Sequence, residues 1–255
     1  MDRRDFNKIA LAGAALSALS RMTLAQDGAT PLRVTALIHD DIVMLDLVAP
    51  MTVFNLLRAE IALVSMDGEP VRTELGLPIA ATSSFADAPG DPDVLFVPGG
   101  LAGTVASLEE PATRDFLAKQ GEQAEWVTSV CTGSLLLGAA GLLNGYSATS
   151  HWYVRDLLTM TGAVVATERV VEDRSRITGG GVTAGLDFAL RLAAKLRGED
   201  TARRIQLVLE YDPDPPFDTG SPERAGHAMS NGIMERRSPL IDRARDALSR
   251  LHITD

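Results

Sequence analysis

The sequence predicts an α/β protein built on a mostly parallel sheet. Short apolar segments alternate with longer helical ones, which is the pattern of βαβ units. The strand-like runs are apolar throughout, as strands are when both faces of their sheet are covered. Three loops of chemical interest follow directly on such runs: residues 40–46, Pro98-Gly99-Gly100 and Cys131-Thr132-Gly133. Open α/β sheets bind ligands beyond the carboxyl ends of their strands.

Taken in order, residues 32–38 read as a first strand, residues 48–59 as a helix and residues 60–66 as a second strand. Residues 93–97 form a short apolar run that ends in Pro98-Gly99-Gly100, and residues 112–123 read as a helix. Residues 126–130 form another strand, followed at once by Cys131-Thr132-Gly133-Ser134 and an apolar helix over 135–143. A strand near 176–178, the run Gly179-Gly180-Gly181, and helices near 184–197 and 200–210 come next. Residues 211–222 are rich in Pro and Asp and read as irregular. Residues 235–250, with Ile241, Ala244, Ala247 and Leu248, read as a final amphipathic helix. There is no internal repeat and no interdomain linker. One domain is expected over 26–255, with a core over about 32–212 and a C-terminal tail over 213–255.

The 255 residues are 45% hydrophobic and 23% charged, ordinary for a chain that buries a core. The formal charge is −10, and residues 1–25 hold four basic and two acidic groups, so the remainder carries about −12. Such a chain repels phosphate backbones and anionic lipid, so neither nucleic acid nor a membrane surface is an expected partner. Arg3-Arg4-Asp5-Phe6-Asn7-Lys8 resembles the twin-arginine export motif. The apolar run after it, residues 9–19, is shorter than the ~20 residues that span a bilayer. Residues 23–25 offer a cleavage site. Residues 1–25 are therefore expected to be a signal peptide and the mature chain to be periplasmic, with no stable membrane anchor. The alternative is a basic, apolar N-terminal helix of a cytoplasmic protein.

Cys131 is the one cysteine, which rules out an intrachain disulfide and a multi-cysteine metal site. His39, His151, His227 and His252 form no metal-binding pattern, so no metal or other cofactor is expected. Cys131 follows a strand and opens a helix, the position of a nucleophile elbow. A helix N-terminus there would favour the thiolate and lower the thiol pKa. The alternative is a buried structural cysteine. Asp46 sits among apolar residues at the start of a helix, where an acid–base role and a plain helix cap both fit. Thr132 and Gly100 can supply N–H groups for an oxyanion-hole-like nest, although Pro98-Gly99-Gly100 also fits a simple turn. His151 is either pocket-lining or a core histidine, and His39 is either an extra group at the pocket edge or a solvated loop residue, the second reading being favoured.

Several blocks resemble the ThiJ/PfpI superfamily over nearly the whole mature chain. They are Ser129-Val130-Cys131-Thr132-Gly133-Ser134-Leu135, Ala148-Thr149-Ser150-His151-Trp152, Val97-Pro98-Gly99-Gly100 and the run from Thr178 through Gly181, Val182 and Asp187. Together with Gln206-Leu207-Val208-Leu209-Glu210-Tyr211 they resemble its isonitrile (isocyanide) hydratase branch. The resemblance implies a single-domain, flavodoxin-like, class I glutamine amidotransferase-like sandwich. It implies Cys131 as nucleophile, Asp46 as its acid–base partner, and Thr132, Gly100, Gly99, His151 and Val182 around the substrate. It further implies a homodimer acting on a small molecule and water. Val48 and Ala49 stand where that branch has Thr and Gly, so this chain departs from the pattern beside Asp46. Other chemistry of the superfamily, glyoxalase-type or amide and peptide hydrolysis, and a non-catalytic periplasmic thiol sensor are the alternatives.

Overall fold

The computed structural model describes residues 31–251. The expected signal peptide, residues 1–25, and His252 lie outside them. A seven-stranded sheet organises the described residues, in the order β10-β11-β7-β6-β1-β2-β5. Its members are β1 (Arg33–Leu37), β2 (Glu60–Ser65), β5 (Ser83–Ser84), β6 (Val94–Val97), β7 (Trp126–Val130), β10 (Val170–Asp173) and β11 (Arg176–Gly179). All neighbours pair in parallel except β10 with β11, which form an antiparallel edge. The short strands β3 (Val71–Arg72) with β4 (Pro78–Ile79), and β8 (Ser147–Ala148) with β9 (Val164–Val165), form two small accessory sheets.

Parallel strands need crossovers, and the helices that provide them cover both faces. On one face lie α1 (Met44–Leu56), α5 (Ala184–Arg197) and α6 (Glu199–Val208). The other carries α2 (Leu101–Glu109), α3 (Pro111–Gln123), α4 (Gly133–Ala139), the 3₁₀ helix Arg155–Thr161 and α8 (His227–Ser249). A short α7 (Pro222–Ala225) precedes α8. This explains the unbroken apolar runs: Val94 to Val97 are all fully buried because helices press on both sides. Phe54, Phe96 and Phe188 join α1, β6 and α5, with ring centroids 5.5–6.3 Å apart. Each such ring contributes about 2–3 kcal/mol by leaving water.

Strand order reverses at β1, which lies between β2 and β6. The loops leaving β1 and β6 therefore diverge and open a crevice at their carboxyl ends. β7 ends beside that crevice.

Four elements differ from the sequence expectation. The first helix starts at Met44 rather than residue 48, so Pro50 lies inside it and leaves the Asp46 carbonyl without its helical partner. Helix α4 stops at Ala139 rather than 143, and Gly141 follows at φ +77°. α2 was not anticipated. α8 begins at His227 rather than 235, and its buried Ile241, Ala244, Ala247 and Leu248 enter the core as their spacing predicts.

Candidate active site

The end of β7 sets Cys131 at φ +59°, in the left-handed region that side chains with a Cβ seldom occupy. Holding it there costs about 1–2 kcal/mol, so neighbouring structure must over-determine it. Here the whole peptide unit is clamped. The Cys131 N–H donates to the carbonyls of Gly180 (2.7 Å) and Gly179 (3.1 Å), at the end of β11. Its carbonyl accepts from Ser150 Oγ (2.9 Å), His151 N (3.2 Å) and Ser134 Oγ (3.3 Å). The thiol is buried, with 1% of the residue exposed.

The β6 loop presses against this turn. A Cβ on Gly99 would lie 2.6 Å from Thr132 N and 2.9 Å from Cys131 Cβ, so only glycine fits there. Gly100 adopts φ +141°, another conformation reserved in practice for glycine. The Gly100 N–H donates to Thr132 Oγ1 (2.9 Å), and that hydroxyl also bonds Thr104 Oγ1 (2.7 Å). The expectation of a Gly100 N–H free for an oxyanion is thereby corrected: the group is spent in tying the two loops together. Thr132 keeps the expected position, with its N–H and hydroxyl both favouring the Cys131 thiolate.

Asp46 is the third residue of α1, which starts after Val43, and it is fully buried. It is not the helix cap. Asp46 Oδ2 accepts from Gly99 N (3.1 Å), whereas Oδ1 has no hydrogen-bond partner of ordinary geometry. Burial pushes this carboxyl up to about 7, opposed by the Cys131 side chain and the Gly99 N–H. The Cys131 thiol is pushed well above its ordinary range by burial first and by the Asp46 charge second. The expected lowering by a helix N-terminus is overturned for that reason: desolvation and a nearby anion outweigh Thr132 and the short α4. The two groups titrate as a coupled pair.

His151 packs its ring on Tyr153, with centroids 3.7 Å apart, beside Gly181. Its Nδ1 is buried without a partner, and burial, with Arg237 and Arg155, lowers it to about 4. Val182, half-buried, packs with the apolar cluster that includes Cys131. His39 is buried rather than solvated, contrary to expectation. It fills space beside Gly103, its Nδ1 lies 2.8 Å from Asp40 O, and burial lowers its pKa.

The structure thus brings Cys131, Asp46, Thr132, Gly99 and Gly100 into one buried cluster, with His151 and Val182 at its edge. The DJ-1/PfpI family model matches residues 32–195. The chain belongs to the DJ-1/PfpI family. Among its relatives, it is 47% identical over 211 residues to the isonitrile hydratase of Pseudomonas putida, covering 82% of this chain and 92% of that one. A crystal structure of a ThiJ/PfpI family protein from Pseudomonas syringae superposes with a TM-score of 0.83 at 44% identity. That match covers 86% of this chain and 91% of the other. Drosophila melanogaster DJ-1beta shares the fold, with a TM-score of 0.63 at 22% identity, covering 71% of this chain and 98% of that one.

Three neighbours in this DJ-1/PfpI site escaped the sequence reading. Thr104 lies one helical turn after Gly100, but α2 was not recognised. Ser150 precedes His151 in a segment read for its histidine alone. Tyr153 lies two residues past His151, and only an aromatic next to a candidate histidine hinted at the stack.

Proposed function

We propose that the protein hydrates isonitriles to N-substituted formamides through a thioimidate on Cys131. One observation carries this reading: a buried thiol faces a buried carboxyl that titrates near 7, with no basic imidazole beside them. Isonitrile hydration needs a nucleophile and a proton donor for the same carbon, and the pair offers both. The terminal carbon of R–N≡C is linear and unsubstituted, a shape suited to a thiol with almost no exposed surface. The named activity of the 47% identical Pseudomonas putida relative supports the same reading.

In this scheme Asp46, as carboxylate, takes the Cys131 proton while sulfur attacks the terminal carbon. Asp46 returns that proton to the carbon, giving R–N=CH–S–Cys131. The carboxylate next takes a proton from water as the water oxygen adds to the same carbon, and Asp46 passes that proton to the nitrogen. Collapse of R–NH–CH(OH)–S–Cys131 transfers the hydroxyl proton to sulfur by way of Asp46 and releases R–NH–CHO. Thr132 N–H supports charge on sulfur. His151, neutral above about pH 4, is too weak a base for the hydrolase alternative. A buried thiol with a raised pKa is also a poor target for peroxide, which weighs against a thiol sensor.

Purified protein is expected to convert an alkyl or aryl isonitrile to its formamide, with loss of the reaction in Cys131→Ala. No turnover across a broad isonitrile panel sinks the reading. Twin-arginine export to the periplasm and a homodimeric state belong to the same proposal. Cell fractionation of the tagged full chain and analytical ultracentrifugation test them, and a cytoplasmic or monomeric result rejects each in turn.

A further inference from the structure

We propose that Arg237 and Arg155 form a carboxylate-recognising mouth to the Cys131 site, so that the preferred substrate is an isonitrile bearing a carboxylate. This rests on the hydratase reading above and names its substrate class. Helix α8 packs against the 3₁₀ helix, which begins at Arg155. Its Leu240, Ile241 and Ala244 join the cluster that takes in Tyr153, Val154 and Leu157. Arg237 lies one turn before Ile241, on the same face of α8, and is exposed. That phase turns it towards the 3₁₀ helix and the His151–Tyr153 stack, whose His151 N–H is bonded to the Cys131 carbonyl. Both arginines depress the basicity of His151, and Arg237 acts on Tyr153 as well.

Among the described residues, freedom from an ion pair is shared with other arginines, the adjacent Arg236 among them, and what singles out Arg155 and Arg237 is their place beside His151. Arg243 and Arg245 farther along α8, and Arg250 just past its end, each hold a carboxylate. Among the described residues neither Arg155 nor Arg237 has an ion pair. Arg155 makes one long bond, to Thr167 O at 3.4 Å, and its Nε is buried with no partner. Exposed Glu223 feels the Arg155 charge without reaching ion-pair distance. The chain holds 34 acidic and 24 basic residues, so its overall field repels anions. Two uncommitted guanidiniums at one mouth reverse that field locally and offer bidentate geometry to a carboxylate. A substrate held by its carboxylate at the rim would direct the slim isonitrile end inward to Cys131.

The test compares potassium isocyanoacetate with its methyl ester on the full chain. The ratio of their kcat/KM values, acid over ester, is expected to fall about tenfold in Arg237→Ala, the loss of one charge-assisted contact. In the native protein it should also fall as salt rises from about 0.05 to about 0.5 M. N-formylglycine, the product, should bind the native chain about tenfold more tightly than it binds Arg237→Ala. Turnover of the ester with no preference for the acid, and a ratio unchanged by Arg237→Ala or salt, overturns the mouth and leaves the hydratase reading standing. No turnover of either compound overturns the hydratase reading and the substrate assignment with it. N-formylglycine binding that still weakens in Arg237→Ala would then support the anion site alone.

Discussion

Cys131 and Asp46 meet in one buried cluster, but the chain holds them by different means. Cys131 sits in a strained backbone conformation, and its own peptide groups make five hydrogen bonds that keep it there. Asp46 sits on an ordinary helical turn, and one N–H, from Gly99, holds its side chain. The thiol's position is thus a property of the backbone, whereas the carboxyl's is a property of one side chain. Under the proposed chemistry, activity at the first is removed by changing one atom, while its geometry is broken by changing its glycine neighbours. At the second, chemistry and stability pull in opposite directions.

The largest expected effect sharpens the first half of this contrast. Cys131→Ala should lower isonitrile turnover by on the order of 10⁴ or more, while its circular dichroism and melting curve stay native, because the clamp is made by backbone. Asp46→Asn should lower kcat/KM by roughly 10²–10⁴ and yet raise stability at alkaline pH. The sign follows from linkage. In the folded state Asp46 titrates near 7 rather than 3.8, so it holds a proton that the unfolded chain has released. Stability therefore falls as pH rises from about 4 to about 7, with the full penalty, of order a few kcal/mol, above that window. Asparagine carries no such penalty. Thermal melts should show the variant above the native protein at pH 8, with the gap closing towards pH 4; a constant gap would break the contrast.

Gly99→Ala should destabilise by about 1–3 kcal/mol, through its clash with Thr132 and Cys131, and lower the melting temperature by several degrees. An unchanged melting curve would mean that the elbow yields, against the view that backbone fixes the Cys131 thiol. The pH profile of kcat/KM should rise through about 7 in the native protein, since one proton must leave the pair before attack. Its absence would separate Asp46 from the chemistry. The smallest effect is expected at His151→Gln, less than about tenfold, because a neutral, stacked imidazole donates little.

Much of this was legible in the sequence, for identifiable reasons. The strands at 33–37, 94–97 and 126–130 are doubly covered, so their apolar runs are unbroken and easy to read. Helix α5 matched its expected bounds, 184–197, because its apolar face repeats clearly. α2 was missed because Leu101-Ala102-Gly103-Thr104-Val105-Ala106-Ser107 is small and mixed; close packing against β1's outgoing loop, at His39 and Gly103, replaces periodicity there. The N-terminal half of α8 is exposed on most sides and carries no core-facing stripe. The residues that meet around Cys131 could be named from the sequence, whereas their electrostatics could not. A thiol at a helix start reads as acidic, and only the fold reveals how completely water is removed around it.

The clamp on Cys131 also has a consequence during synthesis. The partners of its peptide unit come from residues 134, 150, 151, 179 and 180, so the last arrives about fifty residues after the cysteine. A nascent chain that ends before Gly180 carries the thiol but lacks the acceptors that force it into the left-handed turn. The left-handed turn at Cys131 is therefore complete only when β11 has paired with β7. On refolding, recovery of the proposed turnover should mark the completion of the sheet.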